Sequence, residues 1–190
     1  MPGRRAPRAP REPPDAAAGL EVALSFLGTR PRTRWELERR LRAAGASEEV
    51  LDAVLRRLAE LGYLDDDAFA RYWAEQRDRH APRGRRLVEA ELRQRGVPRD
   101  VIERLRSEPA ERRPEDEALP ETEQERARIA LVNHLRGRPL PDDRKALQRI
   151  AMFLMRRGFD SETVRGVLRR SGRDTIDDTP CQACTPCDSP

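Results

Sequence analysis

The chain has 190 residues, of which 38% are charged, 37% hydrophobic and only 4% aromatic. This composition excludes a large compact core and favours thin helical units that each bury one apolar stripe. The net charge of +4 comes almost wholly from arginine, because Lys145 is the only lysine. Arginine suits forked contacts to phosphate or carboxylate, although a high arginine content can equally reflect genomic composition.

The charge is distributed unevenly along the chain. Residues 107–127 carry three arginines and eight acidic residues, whereas residues 128–173 carry twelve basic and four acidic residues, a net +8. A basic segment of this kind indicates an anionic partner, such as nucleic acid or an acidic protein surface. No apolar run reaches the ~20 residues of a membrane-spanning helix, so we predict a cytoplasmic protein without membrane association.

Residues 1–15 are rich in proline and arginine and are predicted to be disordered. A first amphipathic helix, and not a signal peptide, is predicted from about residue 16 to Gly28, because Glu21 interrupts the apolar run. Its inward-facing residues are predicted to be Leu20, Ala23, Leu24 and Leu27. Thr33 and Glu36 have the spacing of a capping box for a second helix, and Ser47 is a suitable cap for a third.

An internal repeat organises the chain. The segment from Leu37 to Leu55, a helix, a glycine stop and a second helix, returns at Val88–Leu105 and at Ile150–Leu168. Five columns match when the copies are aligned on their glycines, which indicates a repeat and not chance. The anchoring glycines are Gly45, Gly96 and Gly158, and the five columns are Leu41, Leu92 and Leu154; Leu37, Val88 and Ile150; Leu51, Ile102 and Val164; Val54, Leu105 and Val167; and the helix-starting residues Ser47, Pro98 and Asp160.

The second copy is preceded by three carboxylates, Asp65, Asp66 and Asp67, which follow the sequence Gly62-Tyr63-Leu64. They are predicted to cap a helix, since adjacent aspartates rarely form a complete Mg²⁺ site by themselves. The next helix carries an aromatic cluster that could stack nucleic-acid bases. At helical spacing the aromatic residues are expected to pack in the core instead. They are Phe69, Tyr72 and Trp73.

The fold class predicted is all-α: three tandem three-helix repeats forming an elongated, curved helical array. The predicted boundaries are 16–64 for repeat 1, 65–106 for repeat 2, 107–127 for an acidic Pro/Glu-rich linker, 128–173 for the basic repeat 3, and 174–190 for a disordered tail. In repeat 3, Ile129, Leu131, Val132 and Leu135 are expected to form the apolar side of the first helix.

Repeat 3 collects the basic side chains that we predict to bind a partner. Lys145, Arg149 and Arg156 lie off the apolar stripe of their helix and close to one line, whereas Arg165, Arg169 and Arg170 project from the next helix. The alternative is an ordinary solvated helix face. The nine candidate contacts are Arg138, Arg144, Lys145, Arg149, Arg156, Arg157, Arg165, Arg169 and Arg170.

The three cysteines, Cys181, Cys184 and Cys187, have a C-x-x-C-x-x-C spacing that suggests a metal or iron–sulfur site. Such sites normally need four ligands, and neither His80 nor His134 is an obvious fourth. A flexible tail with thiols is therefore favoured. No phosphate-binding loop or dinucleotide fingerprint is present, so we predict a binding protein that is not an enzyme and has no cofactor or metal.

The pattern resembles the RecX family of regulatory proteins over about residues 20–106, and more loosely over 128–171. The acidic linker is longer than the connection expected in that family, and the cysteine tail is not part of its pattern. The residues that carry the resemblance are Ala23, Leu24, Leu27, Glu36, Leu37, Leu41, Gly45, Gly62-Tyr63-Leu64-Asp65-Asp66, Phe69, Ala70, Arg77, Gly84, Leu92 and Gly96.

The resemblance implies a monomeric, non-enzymatic regulator that binds the RecA recombinase filament on single-stranded DNA. It implies inhibition of strand exchange, ATP hydrolysis and co-protease activity, and thus a role in recombination and DNA repair. A rival hypothesis is a helical module that binds DNA or RNA directly, since each repeat contains a helix–turn–helix. A third is a small metal or redox protein built on the tail.

Overall fold

The computed structural model describes residues 13–107, 119–120 and 122–177, and every regular element within those residues is an α-helix. The helices are α1 (Ala16–Leu27), α2 (Arg34–Ala43), α3 (Glu48–Glu60), α4 (Asp66–His80), α5 (Arg85–Gln94), α6 (Arg99–Ser107), α7 (Glu123–Leu135), α8 (Arg144–Arg156) and α9 (Ser161–Asp177). The all-α fold of three three-helix repeats is confirmed.

Side-chain caps begin the helices as their sequences predict. The Thr33 hydroxyl accepts from the amide of Glu36, and Ser47 accepts from the amide of Val50. The capping box predicted for α2 is nevertheless incomplete, because the Glu36 carboxylate pairs with Arg95 at 2.9 Å. Thr33 also donates to the Arg95 carbonyl at 2.7 Å. The start of α2 is thereby bound to the end of α5.

The repeat glycines end α2, α5 and α8 in the left-handed region that side chains disfavour. Gly45, Gly96 and Gly158 have φ of 88°, 73° and 91°. Gly96 has a second constraint, since a Cβ there would overlap the Cβ and Cγ of Trp35 on α2, whereas a Cβ at Gly45 would meet nothing within 4 Å. At this repeat position, Gly96 is needed both for its positive φ and for its close contact with Trp35, whereas Gly45 is needed only for its positive φ.

Gly96→Ala should destabilise the protein by about 2–4 kcal/mol, because it combines a left-handed strain of ~1 kcal/mol with an overpacking cost of ~1–3 kcal/mol. Gly45→Ala, the matched control, should cost only the strain of about 1 kcal/mol. Urea unfolding of both variants measures the difference, and equal destabilisation would show that the Trp35 contact has no energetic consequence.

The chain forms two compact units. Unit 1 contains the chain up to Trp73 together with the segment from Glu91 through α6. Within it α1, α2 and α3 pack on one another around a core whose buried residues are Ala23, Leu37, Leu41, Leu51, Val54, Leu55 and Leu58. Burying these side chains is the main stabilising term, at about 1.5–3 kcal/mol for each large aliphatic residue.

Unit 2 contains Ala74–Ala90 and repeat 3. Here α7, α8 and α9 pack around buried Ala127, Ala130, Leu131, Ile150, Leu154, Phe159, Val164 and Val167. Repeat 2 is thus divided between the units, although its sequence is a repeat like the others. The aligned apolar columns predict which residues are buried, but not which unit each half of α4 and α5 joins.

Two of the aliphatic core positions predicted for α1 and α7 are wrong. Leu24 on α1 and Val132 on α7 are exposed, and smaller residues are buried in their helices instead, Ala23 in the first and Ala127 in the second. Small residues allow helices to approach closely. Gly19 is an example on α1, which approaches α3 so closely that a Cβ at Gly19 would lie 3.2 Å from methyl groups of Val50 and Val54.

The predicted element boundaries shift in three places. Asp15, placed in the N-terminal segment, caps α1 through the amide of Ala18. The linker is predicted at 107–127, but Ser107 belongs to α6 and residues 123–127 belong to α7. The tail predicted from residue 174 begins too early, because α9 continues to Asp177. The rest of the predicted N-terminal segment, linker and tail lies outside the described residues.

Candidate anion-binding groove of the third repeat

One edge of α8 carries the charged residues of the candidate site. Lys145, Arg149, Met152 and Arg156 recur at helical intervals of four, three and four residues, which places them on a single stripe. All four are exposed. The opposite side of α8 buries Ile150 and Leu154 in the core of unit 2. The apolar stripe therefore fixes the helix so that the basic edge faces solvent.

The basic edge forms one wall of an open groove of about 900 Å³ within unit 2. The end of α7 and the loop that follows it form the other wall. Four of the nine predicted contacts lie here, namely Arg138, Lys145, Arg149 and Arg156. The groove adds Arg138, from the loop after α7, to the line of basic residues that the sequence predicts on α8.

The cations of the α8 edge have no anionic partner. Within the part of the chain that the structure describes, Lys145, Arg149 and Arg156 make no ion pair and no side-chain hydrogen bond. The nearby acids have other roles, because Asp143 accepts the amide of Ala146 to cap α8 and Asp160 accepts the amide of Thr163 to cap α9. The groove lining holds four cations, Arg138, Lys145, Arg149 and Arg156, against the one carboxylate of Asp143, so its field is net positive.

The arginines of unit 1 differ in this respect. Arg42 pairs with Glu38 and with Glu48, and Arg95 pairs with Glu36. Such pairs contribute little stability when exposed, but they neutralise the surface locally. Other arginines of unit 1, such as Arg40, Arg56 and Arg71, are exposed and form no ion pair within the described residues, so the groove of repeat 3 is distinguished by the clustering of its cations on one helix edge.

The other five predicted contacts lie elsewhere. Arg157 is half-buried, and its guanidinium donates to the Pro82 carbonyl at 3.3 Å and packs on Phe153, so it has a structural role. The remaining four are exposed, but the structure does not bring them to the groove. They are Arg144 at the start of α8 and Arg165, Arg169 and Arg170 on α9.

The sequence analysis missed the aromatic part of the groove. The imidazole of His134, on α7, stacks on the ring of Phe153, on α8, with 3.9 Å between centroids and 23° between planes. His134 is exposed, and Met152 is exposed beside it in the groove lining. Helical spacing places Phe153 near the apolar stripe, but no local pattern predicts its partner on another helix.

The three carboxylates before α4 have three separate structural roles. Asp65 caps α4 through the amide of Ala68, and Asp66 accepts the amide of Arg34 at the start of α2. Asp67 accepts two hydrogen bonds from the guanidinium of Arg104, each of 2.9 Å. The predicted capping is confirmed for Asp65, and all three carboxylates organise unit 1.

The Asp67–Arg104 pair predicts a pH dependence of stability. The Arg104 guanidinium holds the pKa of Asp67 below its usual value of about 3.9. A depressed carboxyl pKa gives stability that is present above the unfolded pKa and is lost as pH falls through the folded pKa. Asp67→Asn should therefore have a shallower decline of Tm below about pH 4 than the parent chain. A parallel decline in both proteins would contradict this role.

The aromatic cluster of α4 belongs to the scaffold of unit 1, except for Tyr72. Phe69 is buried and stacks on Trp73 at 6.0 Å between centroids. The indole of Trp73 donates to Glu91 at 2.8 Å and lies under the guanidinium of Arg95. Tyr72 is exposed, so the core position predicted for it is wrong.

The described residues hold neither a cluster of metal-ligating side chains nor a membrane-spanning helix. No group of three His, Cys, Asp or Glu side chains there could hold a metal ion. In the same part of the chain, no helix is both long and apolar enough to cross a membrane. The predicted thiols of Cys181, Cys184 and Cys187 lie outside the described residues.

Three family models match the chain in order. They describe the first three-helix domain of RecX over residues 20–58, the second over residues 65–105 and the third over residues 121–168.

Curated relatives match over most of their lengths. The chain is 34% identical over 158 residues to regulatory protein RecX of Prosthecochloris aestuarii, which covers 81% of this chain and 93% of the relative. It is 35% identical over 154 residues to regulatory protein RecX of Chlorobaculum tepidum (80% and 88%). It is 34% identical over 170 residues to regulatory protein RecX of Streptomyces coelicolor (87% and 85%).

Solved structures share the fold. The crystal structure of RecX from Lactobacillus salivarius matches with a TM-score of 0.65 and 18% identity, over 84% of this chain and 97% of that one. A second crystal structure, of a regulatory protein RecX, matches with a TM-score of 0.63 and 20% identity, over 80% of this chain and 72% of that one.

Proposed function

Because this chain belongs to the RecX family of regulatory proteins, we propose that it binds RecA and the RecA filament on single-stranded DNA. In this proposal it inhibits the recombinase and ATPase activities of RecA, and so modulates recombination and DNA repair. It acts by binding and not by catalysis, in the cytoplasm and as a monomer.

The observation that carries the proposal is that a repeat matched by the RecX family models also contains a basic groove. The family models match all three repeats, and the net positive groove lies in the third. A RecA filament on DNA offers the phosphate backbone as an anionic surface, to which unpaired arginines are attracted over a range of about 10 Å at ordinary salt. The groove is thus suited to position the chain on a nucleoprotein filament.

Unit 1 supplies a different kind of surface. Several of its arginines, such as Arg42 and Arg95, form ion pairs, and it exposes the apolar side chains of Leu61, Tyr63 and Tyr72. Tyrosine is enriched at protein interfaces because it combines a large contact area with a hydroxyl. We assign to unit 1 the contact with RecA protein and to repeat 3 the electrostatic contact with the filament.

The experiment that tests this division is the single-stranded-DNA-dependent ATPase of RecA. The parent chain should inhibit ATP hydrolysis at substoichiometric or stoichiometric amounts. The groove variant Lys145→Glu/Arg149→Glu/Arg156→Glu should need at least tenfold more protein for the same inhibition, because three attractive contacts become repulsive. All three side chains are exposed, so the variant should keep its fold.

The matched control is Arg165→Glu/Arg169→Glu/Arg170→Glu, which makes the same change of net charge on the exposed surface of α9, outside the groove. It should retain more inhibition than the groove variant. Equal loss of inhibition in both variants would assign the effect to net charge alone. No inhibition by the parent chain would contradict the proposed function.

The rival function, direct recognition of DNA or RNA by the helix–turn–helix segments, is less well supported. In the first repeat the helix after the glycine is α3, which would be the recognition helix. It buries an apolar stripe that includes Leu51, Val54 and Leu58, and its exposed side carries both acidic and basic residues. The rival function predicts tight, sequence-dependent binding to DNA alone, whereas the regulator should bind the RecA filament better than bare DNA.

A further inference from the structure

We propose that Arg30, Arg32 and Arg95, here called the arginine cluster, bind carboxylate side chains of an acidic segment on the protein partner. The arginine cluster lies in unit 1, whereas the basic groove lies in unit 2. The inference names the chemistry of the protein contact that the proposed function assigns to unit 1, and it rests on that function for the identity of the partner.

Three guanidinium groups of the arginine cluster surround a single carboxylate. Arg30 and Arg95 both donate to Oε1 of Glu36, at 3.3 and 2.9 Å. Arg32 lies close enough to both arginines that each of them acts on its charge. Glu91, on the same helix as Arg95, accepts from the indole of Trp73. Three guanidinium groups against the one carboxylate of Glu36 leave an excess of two positive charges.

Aromatic rings hold the guanidinium groups in place before any partner binds. The guanidinium of Arg32 lies 3.9 Å from the ring centroid of Phe26, and that of Arg95 lies 3.8 Å from the ring centroid of Trp73. Arg32 also donates to the hydroxyl of Thr29 at 3.0 Å. Since these side chains are already fixed, a carboxylate that binds them immobilises little further side-chain freedom.

Each guanidinium keeps donors that a carboxylate can use. A guanidinium has five N–H donors, of which Arg30 and Arg95 each use one nitrogen on Glu36 and Arg32 uses two nitrogens on the α1–α2 loop. Burial and the neighbouring charge of Arg30 lower the pKa of Arg32, although Glu36 opposes this effect. A partner carboxylate would relieve this repulsion and could accept two parallel hydrogen bonds from one guanidinium.

The rings of the arginine cluster are unsuited to nucleobases, which favours a protein partner. Phe26 carries Arg32 on one face and packs against the apolar core of unit 1. Trp73 carries Arg95 and stacks on Phe69 at 6.0 Å between centroids. Sites for single-stranded nucleic acid offer open ring faces on which bases stack. The arginine cluster offers fixed cations without such faces, as recognition of carboxylates requires.

Trp35 adds an apolar anchor next to the arginine cluster. It is 37% exposed, precedes Glu36 on α2 and lies against Gly96, the residue after Arg95. Tryptophan and arginine are enriched among the residues that dominate binding energy at protein interfaces. The arrangement therefore predicts a partner segment in which carboxylates lie beside an apolar side chain.

A peptide tests this chemistry in the absence of RecA. The probe is fluorescein-labelled octaglutamate, and the full chain carries the groove variant as background, because the groove would also attract the peptide. Arg30→Glu/Arg32→Glu should weaken octaglutamate binding about tenfold or more, since two attractive contacts become repulsive. Arg40→Glu/Arg56→Glu, the control with an equal change of charge on exposed surfaces of α2 and α3, should weaken it by about threefold at most.

Arg30→Lys/Arg32→Lys separates the geometry of the guanidinium groups from their charge. Lysine keeps the charge but lacks the planar fork, so octaglutamate binding should weaken about threefold. Circular dichroism and Tm establish that each variant is folded. If the glutamate variant were unfolded, the lysine variant would decide, and unchanged binding of the peptide would contradict the inference.

The same variants are then measured with labelled RecA, free of DNA and nucleotide. Arg30→Glu/Arg32→Glu should weaken RecA binding about tenfold. In a chain with an intact groove, the same change should alter binding of dT20 by less than about twofold, because the arginine cluster does not hold the phosphate backbone. RecA binding that is unchanged in this variant would count against the inference.

Three further outcomes would overturn it: no octaglutamate binding at low salt, equal losses in the cluster and control variants, or a loss of dT20 binding as large as the loss of octaglutamate binding. If any of these occurs while the chain still inhibits the RecA ATPase, the inference fails and the proposed function stands. If octaglutamate binding depends on Arg30 and Arg32 but RecA is neither bound nor inhibited, the arginine cluster is an acid-binding site and the proposed function fails.

Discussion

Gly84→Ala should destabilise unit 2 by about 3 kcal/mol or more, the upper part of the range for an overpacked site. Gly84 precedes α5, and a Cβ there would overlap the carbonyl of Gly158 and the amide of Phe159, in the turn between α8 and α9. These atoms belong to the backbone and cannot rotate away. The displacement would also break the 2.8 Å hydrogen bond from the Gly84 amide to the Arg157 carbonyl.

The matched control is Gly166→Ala, in the interior of α9. A Cβ at Gly166 would meet nothing within 4 Å, so this variant should gain up to about 1 kcal/mol from improved helix propensity. Denaturant unfolding of both variants gives the comparison. If Gly84→Ala were as stable as Gly166→Ala, the close backbone approach would have no energetic importance.

Asp78→Ala should destabilise unit 2 by about 3 kcal/mol, because it leaves a largely buried guanidinium without its main partner. The Asp78 carboxylate accepts two hydrogen bonds from Arg126, at 2.8 and 3.0 Å. The side chains are only 10% and 23% exposed. Burial raises the pKa of Asp78 even though Arg126 opposes this effect, whereas Asp78 raises the pKa of Arg126 against the effect of burial. Because these two directions favour opposite charge states of the pair, we expect its attraction to offset its desolvation cost only roughly.

This balance predicts that removing both charges is far less harmful than removing one. Asp78→Leu/Arg126→Met should come within about 1 kcal/mol of the parent chain. The exposed pair of Arg99 and Glu103, 90% and 57% exposed, provides the control. Glu103→Ala should cost at most about 0.5 kcal/mol. A double variant as unstable as Asp78→Ala would show that the pair itself is strongly stabilising.

The sequence predicts the fold to the extent that the information is local. Caps such as Thr33, Ser47 and Asp65 satisfy amides three residues away, and repeat glycines such as Gly45 end helices by adopting a positive φ. Both depend on a few neighbouring residues and on backbone geometry. For this reason the helices could be placed to within a few residues from the sequence alone.

Contacts between distant residues could not be predicted in the same way. Glu36 fits a capping box locally, but Arg95, 59 residues away, takes its carboxylate. Asp67 fits a cap, but Arg104, 37 residues away, binds it. Leu24 fits the apolar stripe of α1, but close helix packing selects Ala23. In each case a tertiary contact outweighs a sound local preference.

The candidate site shows the same division. Helical periodicity correctly places Lys145, Arg149 and Arg156 along one edge of α8. It cannot distinguish them from Arg157, the next residue, whose partner Pro82 lies 75 positions earlier in the chain. Nor can it find His134, which becomes part of the groove only because α7 packs beside α8. A count of basic residues therefore cannot separate the four that line the groove from the five that do not.

The most direct test of the central claim is co-sedimentation with RecA filaments assembled on single-stranded DNA with a non-hydrolysable ATP analogue. The chain should pellet with the filaments at concentrations at which it stays in solution with bare DNA. The groove variant Lys145→Glu/Arg149→Glu/Arg156→Glu should remain largely in the supernatant. A chain that pellets equally with bare DNA and with filaments, or that pellets with neither, would contradict its assignment as a RecA filament regulator.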